Sequence, residues 1–194
     1  MYQIFEAHLC SALSLTEEEL FLIRSAAVER SVKRREILVH EGEVCRHKTF
    51  VVKGLLRSYA VSEDGSESIM RFAAENTWIL DPQSYNNVAP SRLNIEALED
   101  SLVIQWSKEN MDRLFEKIPG FRGYSEKLRI NSLDFTQNRV LVNISYTAEQ
   151  KYLDFQETYP EIFQRIPLHM VASYLGVSRE TLSRIRQAQV RQAK

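Results

Sequence analysis

The sequence predicts an α+β fold in which an antiparallel β-sandwich, roll or barrel is followed by a long helix and then by a pair of short helices. From about Ile37 to Trp106, short runs rich in β-branched and aromatic residues alternate with turn residues, which is typical of antiparallel strands. A helical pattern extends from about Phe121 to Ile144, and two shorter ones joined by a glycine lie between Pro167 and Arg186. These three observations set the order of the elements along the chain.

The strand region holds six runs that are separated by turn residues. Glu63-Asp64-Gly65 is a good hairpin turn between two of them. Residues 81–91 (DPQSYNNVAPS) have the weakest regular pattern, so we expect a loop at the rim of the roll. Thr16 followed by Glu19 predicts a capping box that starts an earlier helix, which runs to about Val28. The six runs are EILV at 36–39, KTFVV at 48–52, LLRSYAV at 55–61, SIMRFA at 68–73, LNIEAL at 93–98 and SLVIQW at 101–106.

Helix is predicted again after Ser107, which can cap the segment SKENMDRLFEKI, and Pro119-Gly120 ends that segment. The long helix that follows carries two apolar lines. One repeats every seven residues, as in a coiled-coil seam. If one line packs on the roll and the other meets a partner chain, the protein is a homodimer; the alternative is one broad stripe facing the core of a monomer. The first line is Phe121, Leu128, Phe135 and Val142, and the second is Ile130, Leu133, Val140 and Ile144.

The segment after a predicted helix at residues 148–163 has the layout of a helix-turn-helix. Pro167 suits the first turn of its first helix, and Ala172 is small where two crossing helices touch. Gly176 can adopt the positive φ of a turn, and Ser178 can cap the second helix. Apolar side chains at helical spacing form the expected inner face: Val171, Leu175, Val177, Leu182 and Ile185.

The outer face of the second helix carries residue types that read DNA. Arginine can hold guanine through two bonds, and glutamate can accept from the cytosine amino group. Residues 165–194 have a net charge of +5, although the whole chain has −1, so a basic end lies on an acidic body. The alternative is a helical hairpin with a solvated charged face. The predicted DNA-binding residues are Ser178, Arg179, Glu180, Ser183, Arg184 and Arg186.

Over nearly its whole length, the chain resembles the cyclic-AMP receptor protein/FNR (Crp/Fnr) family of bacterial transcription regulators. GVSRETLSRIR at 176–186 is similar to the recognition helix of that family, and VVKGLLRSY at 51–59 and EILVHEGE at 36–43 are similar to its roll. The resemblance implies a cyclic-nucleotide-binding-like double-stranded β-roll, a homodimer on palindromic double-stranded DNA, contact with RNA polymerase and a small effector. It also implies three parts: an effector-sensing roll with flanking helices at 1–118, a dimerisation helix at 119–145 and a DNA-binding domain at 146–194.

The effector site that the resemblance implies departs from the family pattern. Glu75 stands where a ribose-binding glutamate would be, but Ala74 replaces the glycine before it, and Ser91-Arg92 appears in place of Arg-Ser. LDFTQNRV at 133–140 resembles the segment that reaches the purine. The departures argue against a cyclic nucleotide and favour another small ligand or none. The residues that the resemblance assigns to an effector are Glu75, Ser91, Arg92, Thr136 and Gln137.

Several classes are excluded or disfavoured. Two cysteines, Cys10 and Cys45, cannot form a four-cysteine iron–sulfur site, and no His-x-His pair supports a metal enzyme on a cupin-like roll. We therefore predict no metal, no certain cofactor and no enzymatic activity; the main alternative is an effector-sensing adaptor that binds a protein partner through the basic hairpin. Because no run of about 18 apolar residues and no secretory signal occurs, a cytoplasmic location without a membrane span is expected.

The C-terminus predicts one further departure from the family. The chain stops eight residues after Arg186, so we expect the β-hairpin wing that relatives often carry after the recognition helix to be absent. Fewer phosphate contacts would then make DNA affinity depend heavily on dimerisation and on salt.

Overall fold

The computed structural model describes residues 1–192, and the chain divides into two compact units. The first, called the roll unit, holds Met1–Ala60 and Arg71–Ile130; the second, called the C-terminal unit, holds Val61–Met70 and Asn131–Lys194. This division cuts the long helix after Ile130 and assigns the tip of a β-hairpin to the C-terminal unit. The boundaries predicted at 118/119 and 145/146 therefore stay predictions.

Two helices precede the strands of the roll unit, α1 (Tyr2–Ala12) and α2 (Glu17–Ser25). The capping box is confirmed: Thr16 Oγ1 accepts a hydrogen bond from the Glu19 N–H at 3.2 Å, and Glu19 Oε2 accepts one from the Thr16 N–H at 2.8 Å. Helix α2 ends before Val28 because Val28 begins the first strand. Helix α1 escaped the sequence analysis, although its buried Tyr2, Phe5 and Leu9 have helical spacing.

Residues 1–192 contain eight strands, which form two four-stranded sheets in the orders β1-β8-β3-β6 and β2-β7-β4-β5. All six predicted runs are strands, which confirms the β-roll. Strand β1 was not predicted because its sequence, VERSV, is mostly polar, and β6 because it is only three residues long. The strands are β1 (Val28–Val32), β2 (Ile37–Val39), β3 (His47–Lys53), β4 (Leu56–Val61), β5 (Glu67–Ala73), β6 (Thr77–Ile79), β7 (Asn94–Ala97) and β8 (Ser101–Ser107).

An aromatic cluster fastens the N-terminal helices to the first sheet. The ring of Phe5 lies 4.9 Å from that of Phe50 and 4.8 Å from that of Trp106, measured between centroids. Trp106 Nε1 donates to the Ile23 carbonyl at 2.9 Å, so the buried indole N–H is satisfied. A second, aliphatic cluster that includes Val51 fills the space between the sheets.

The turn between β3 and β4 requires its glycine. Gly54 has a φ of +104°, and a Cβ built on it would lie 2.1 Å from Ser101 Oγ. Only glycine adopts this backbone without a steric clash. This explains the glycine in VVKGLLRSY.

The predicted loop at 81–91 is partly wrong, because α3 (Pro82–Asn87) occupies its first half. Asp81 Oδ1 accepts from the N–H groups of Gln83 and Ser84 at 3.0 and 3.2 Å. An N-cap aspartate followed by proline is a standard helix start, but a six-residue helix is too short to show apolar periodicity.

Two helices follow the roll, α4 (Lys108–Lys117) and α5 (Pro119–Ser145). The predicted cap is confirmed, since Ser107 Oγ accepts from the Asn110 N–H at 3.1 Å. The predicted break is at Ile118, which has non-helical dihedral angles. Pro119 then opens α5 rather than only ending α4.

The two apolar lines of α5 have different environments. In the seven-residue line, Phe121 and Val142 are buried while Leu128 and Phe135 are half-buried. This line packs on its own chain, which leaves the second line as the one that could meet a partner chain. The second line is exposed together with Leu141, and Ile144 reaches 79% exposure.

The C-terminal unit ends with four helices, α6 (Ala148–Thr158), α7 (Pro160–Arg165), α8 (Leu168–Leu175) and α9 (Arg179–Gln192). The single helix predicted for residues 148–163 is wrong, because Tyr159 has a φ of −132° and a ψ of 55°. Proline lacks an N–H and clashes with a helical residue before it, so Pro160 restarts the helix.

A half-buried lysine links β3 to the start of α5 within the roll unit. Lys48 Nζ donates to Ser125 Oγ at 2.8 Å and lies 4.9 Å from the centroid of the Trp78 ring. Burial lowers the pKa of Lys48 to about 8, and the carboxylate of Glu126 opposes this shift. At neutral pH, few groups therefore compensate the charge of the Lys48 ammonium.

We expect Lys48 to make stability rise with pH above neutrality. Its folded-state pKa lies below the unfolded value, so the unfolded chain binds more protons between about pH 8 and 10. The free energy of unfolding of the wild type, minus that of Lys48→Met, should increase by about 2 kcal/mol from about pH 7 to 10. Denaturant titrations at several pH values measure this difference, in which the titration of Cys45 and the tyrosines cancels. Parallel pH profiles for the two proteins would contradict the prediction.

Candidate nucleic-acid interface

Helices α8 and α9 form a hairpin whose turn has the predicted geometry. Gly176 has a φ of +66° and a ψ of +37°, and the Val177 N–H donates to the Ala172 carbonyl at 3.1 Å. A left-handed glycine with this backward bond satisfies the end of α8 and redirects the chain. The predicted inner face is confirmed, since Val171, Leu175 and Leu182 are buried while Val177 and Ile185 are half-buried.

Ser178 sets the start of α9. Its Oγ accepts from the Thr181 N–H at 3.1 Å and lies 3.0 Å from Thr181 Oγ1. This is the N-cap geometry that the sequence predicts. The hydroxyl of Ser178 is thus part of the helix start, which limits its role toward DNA to its remaining hydrogen-bonding capacity.

The outer face of α9 is basic and exposed. In the part of the chain with described side chains, none of its three arginines forms an ion pair with an acid; the Arg184 Nε contact is to the Glu180 carbonyl, at 3.5 Å. The pKa of Glu180 is lowered, chiefly by its own backbone N–H and then by the Ser178 hydroxyl and nearby arginines. The glutamate is therefore ionised and able to accept hydrogen bonds. The exposed residues are Arg179, Glu180, Ser183, Arg184 and Arg186.

An aromatic cluster inside the C-terminal unit supports the hairpin. The Phe155 ring lies 5.1 Å from that of Tyr174 and 5.3 Å from that of Tyr159, and Tyr152 lies 5.7 Å from Phe163. These rings join α6 and α7 to α8. Because aromatic pairs bury large areas with specific geometry, the cluster stabilises α6 and α8, the helices on which α9 packs.

A second support, which we call the clasp, escaped the sequence analysis. Ser173 Oγ accepts from the Ile69 N–H at 3.1 Å and donates to the Glu67 carbonyl at 2.6 Å. One hydroxyl therefore satisfies an N–H and a carbonyl of β5, as a neighbouring strand would. The only local signal is a serine within a mostly apolar helix.

Arg139 of α5 completes the clasp. Its guanidinium donates to the carbonyls of Ile69 at 2.7 Å and Tyr174 at 3.0 Å, and also to that of Met70. It lies 4.1 Å from the centroid of the Tyr174 ring. Burial lowers the pKa of Arg139, while bonds to three carbonyl oxygens favour the charged form. The clasp thus ties α5, α8 and the hairpin tip together within the C-terminal unit.

The predicted effector residues of the roll unit are engaged within the roll. Glu75 Oε1 accepts from the Gly54 N–H at 2.8 Å. Ser91 Oγ donates to Asp81 Oδ2 at 2.7 Å, and Arg92 is exposed. Asp81 also accepts from the N–H groups of Gln83 and Ser84, so these two donors at the start of α3 are already bonded and are not free for a phosphate. These bonds count against a cyclic nucleotide at this place.

The other two predicted effector residues belong to the C-terminal unit. Thr136 and Gln137 are exposed on α5, and Thr136 Oγ1 donates to the Ser132 carbonyl at 2.8 Å. Their role toward an effector stays a prediction.

Within residues 1–192, no helix is long and apolar enough to cross a membrane. The described side chains also include no group of three His, Cys, Asp or Glu arranged to hold a metal.

Comparisons with known proteins agree with this architecture. A family model described as cyclic nucleotide-binding domain matches residues 29–118. The transcriptional activator protein anr of Pseudomonas aeruginosa is 25% identical over 195 residues, covering 92% of this chain and 78% of that protein. The fumarate and nitrate reduction regulatory protein of Vibrio cholerae is 26% identical over 192 residues, covering 92% and 76%. The structure of FixK2 from Bradyrhizobium japonicum has the same fold, with a TM-score of 0.76 at 20% identity over 86% of each chain.

A β-roll of the cyclic-nucleotide-binding type, a long helix and a C-terminal helix-turn-helix define a class of transcription regulators that carry all three parts in one polypeptide. The family model and the relatives support a regulator of the Crp/Fnr family of that class. The resemblance noted from the sequence is thereby confirmed.

Proposed function

We propose that this regulator binds DNA in a sequence-specific manner by placing α9 in the major groove. The observation that carries the proposal is the exposed face of α9, whose three arginines have no acidic partner among the described side chains. Arg179, Glu180 and Arg184 would read base edges, while Ser178, Ser183 and Arg186 would contact bases or phosphates. The buried inner side of the α8–α9 hairpin and the clasp would fix the position of that face.

We propose further that two chains pair through the exposed line of α5. Ile130, Leu133, Gln137, Val140 and Ile144 follow the three–four spacing of a coiled-coil seam, and four of the five are exposed apolar residues. Gln137 would be the polar seam position that fixes the register. Two α9 helices related by a two-fold axis would read a palindrome with half-sites about one DNA turn apart.

The input to this regulator would be a small molecule bound in the roll, and its output would involve RNA polymerase at the bound promoter. No enzymatic step is part of the proposal. What supports it is the class of the relatives, which are regulators. Binding that shifts the equilibrium between two arrangements of the α9 helices would couple the input to DNA affinity.

Replacing Arg179 by alanine should relax sequence preference at one base pair in each half-site. The loss of a bidentate arginine–guanine contact weakens binding by about 1–3 kcal/mol per half-site. Parallel enrichment of duplexes from a random pool, with wild type and variant at one salt concentration, measures the change. Arg122→Ala is the matched control, since Arg122 is exposed on α5 in the roll unit. An unchanged enriched sequence in Arg179→Ala would remove Arg179 from the reading face.

A further inference from the structure

The roll unit contains a cavity that lies apart from the predicted effector residues. Its volume is about 480 Å³, which is within the range of small-molecule sites. Glu75, Ser91 and Arg92 do not line it. Its apolar wall comes from β2, β7 and the segment before β3, and consists of Leu38, Val39, Val44 and Ile95.

The opposite wall carries a buried polar pair. Gln105 Nε2 donates to Thr49 Oγ1 at 3.1 Å, and the two residues are 8% and 5% exposed. This is the only hydrogen bond that either side chain makes to another described residue. The Thr49 O–H and Gln105 Oε1 therefore keep a donor and an acceptor for a molecule in the cavity. Buried polar groups normally find such partners.

The rim of the cavity carries an arginine that has no acidic partner among the described side chains. Arg46 is exposed at the rim, and its guanidinium forms no hydrogen bond or ion pair with a described side chain. The pKa of His47 is lowered, first by burial and then by Arg30 and Arg46. Arg30 itself pairs with Glu36 at 2.5 Å. Glu43, the acid at the rim, accepts from a backbone N–H of its own turn at 3.3 Å.

We propose that this cavity binds a small organic monocarboxylate, with its carboxylate held between Arg46 and His47 and its apolar body against the aliphatic wall. A second polar group of the ligand would meet Thr49 and Gln105. An unpaired arginine favours a carboxylate over a cation, and the four branched side chains favour an acid with a carbon body over a bare inorganic anion. The claim that this ligand is the input signal rests on the proposed regulatory function. The claim that the cavity binds it does not.

The test uses the full chain without DNA, so that its failure and a failure of DNA binding are distinguishable. Phenylacetate, benzoate and hexanoate are titrated while the NMR resonances of the His47 imidazole are followed, and phenethyl alcohol is the uncharged match to phenylacetate. We expect saturable shifts with at least one acid at millimolar concentration and a raised pKa of His47 in the complex, because a nearby anion favours the imidazolium. The alcohol should bind far more weakly.

Two variants and one control locate the site. Arg46→Gln should weaken the acid by about tenfold, as expected for one lost charge-assisted hydrogen bond. Val44→Trp should abolish binding by filling the cavity, and Arg34→Gln, an exposed arginine outside it, should bind as the wild type does. The proposal is overturned by no shift with any of the three acids, by equal binding of the alcohol, or by unchanged binding in Arg46→Gln or in a folded Val44→Trp.

Discussion

Replacing Arg139 by methionine is expected to destabilise the C-terminal unit by about 2–4 kcal/mol. The substitution keeps much of the side-chain volume but leaves the carbonyls of Ile69, Met70 and Tyr174 without their common donor. It also removes the cation that stacks on the Tyr174 ring. Because the chain has two compact units, which need not unfold in one step, hydrogen exchange resolved by residue measures the loss where it occurs, in α8 and the hairpin tip.

Two further variants separate the geometry of Arg139 from its charge. Arg139→Lys keeps the charge but replaces a planar fork by a point charge, so its loss of stability should lie between those of the wild type and Arg139→Met. Arg122→Met removes an exposed arginine of the same helix and should change stability by less than about 0.5 kcal/mol. If Arg139→Met exchanged its amides at wild-type rates, the clasp would have no role in stability.

The double variant Leu133→Glu/Val140→Glu should dissociate the dimer. Both side chains are about half exposed in the single chain, at 51% and 52%, so two carboxylates there leave the monomer folded. In a paired seam, the same carboxylates would be buried without partners, which weakens association by at least about 100-fold. Sedimentation equilibrium gives the dimer dissociation constant, and DNA affinity should fall with it because one α9 then reads one half-site.

The matched control for that variant is Asn131→Glu. Asn131 is exposed on α5 but lies about 130° around the helix from the middle of the seam. Its dimer should have the wild-type dissociation constant. If Leu133→Glu/Val140→Glu remained dimeric at micromolar concentration, the two chains would pair through another surface.

The parts of the fold that the sequence predicts well depend on local chemistry. The turn of the α8–α9 hairpin needs a residue that accepts positive φ, and Gly176 provides it; α9 needs a side-chain acceptor at its first free N–H, and Ser178 provides it. These signals lie within a few residues of the structure that they specify. The same local rules for caps and prolines also indicate the start of α3 at Asp81-Pro82 and the break at Tyr159-Pro160. Apolar periodicity alone shows neither feature.

The supports of the site depend on contacts that no local pattern reveals. Ser173 meets residues more than 100 positions away, at Glu67 and Ile69, and Arg139 meets carbonyls from two other elements. Glu75 illustrates the same limit. The sequence identifies a carboxylate of the right type, but only the fold shows it accepting a hydrogen bond from Gly54. The inward direction of the seven-residue line on α5 is likewise a tertiary outcome, since its spacing alone fits a seam equally well.

The most direct test of this account is the enrichment of DNA by the wild-type protein from a random duplex pool at moderate salt. We expect an inverted repeat with half-site centres about 10 base pairs apart, bound by two chains and lost in Leu133→Glu/Val140→Glu. A pool that shows no enriched sequence, or an enriched single half-site bound by one chain, would contradict a dimeric regulator that reads DNA through α9.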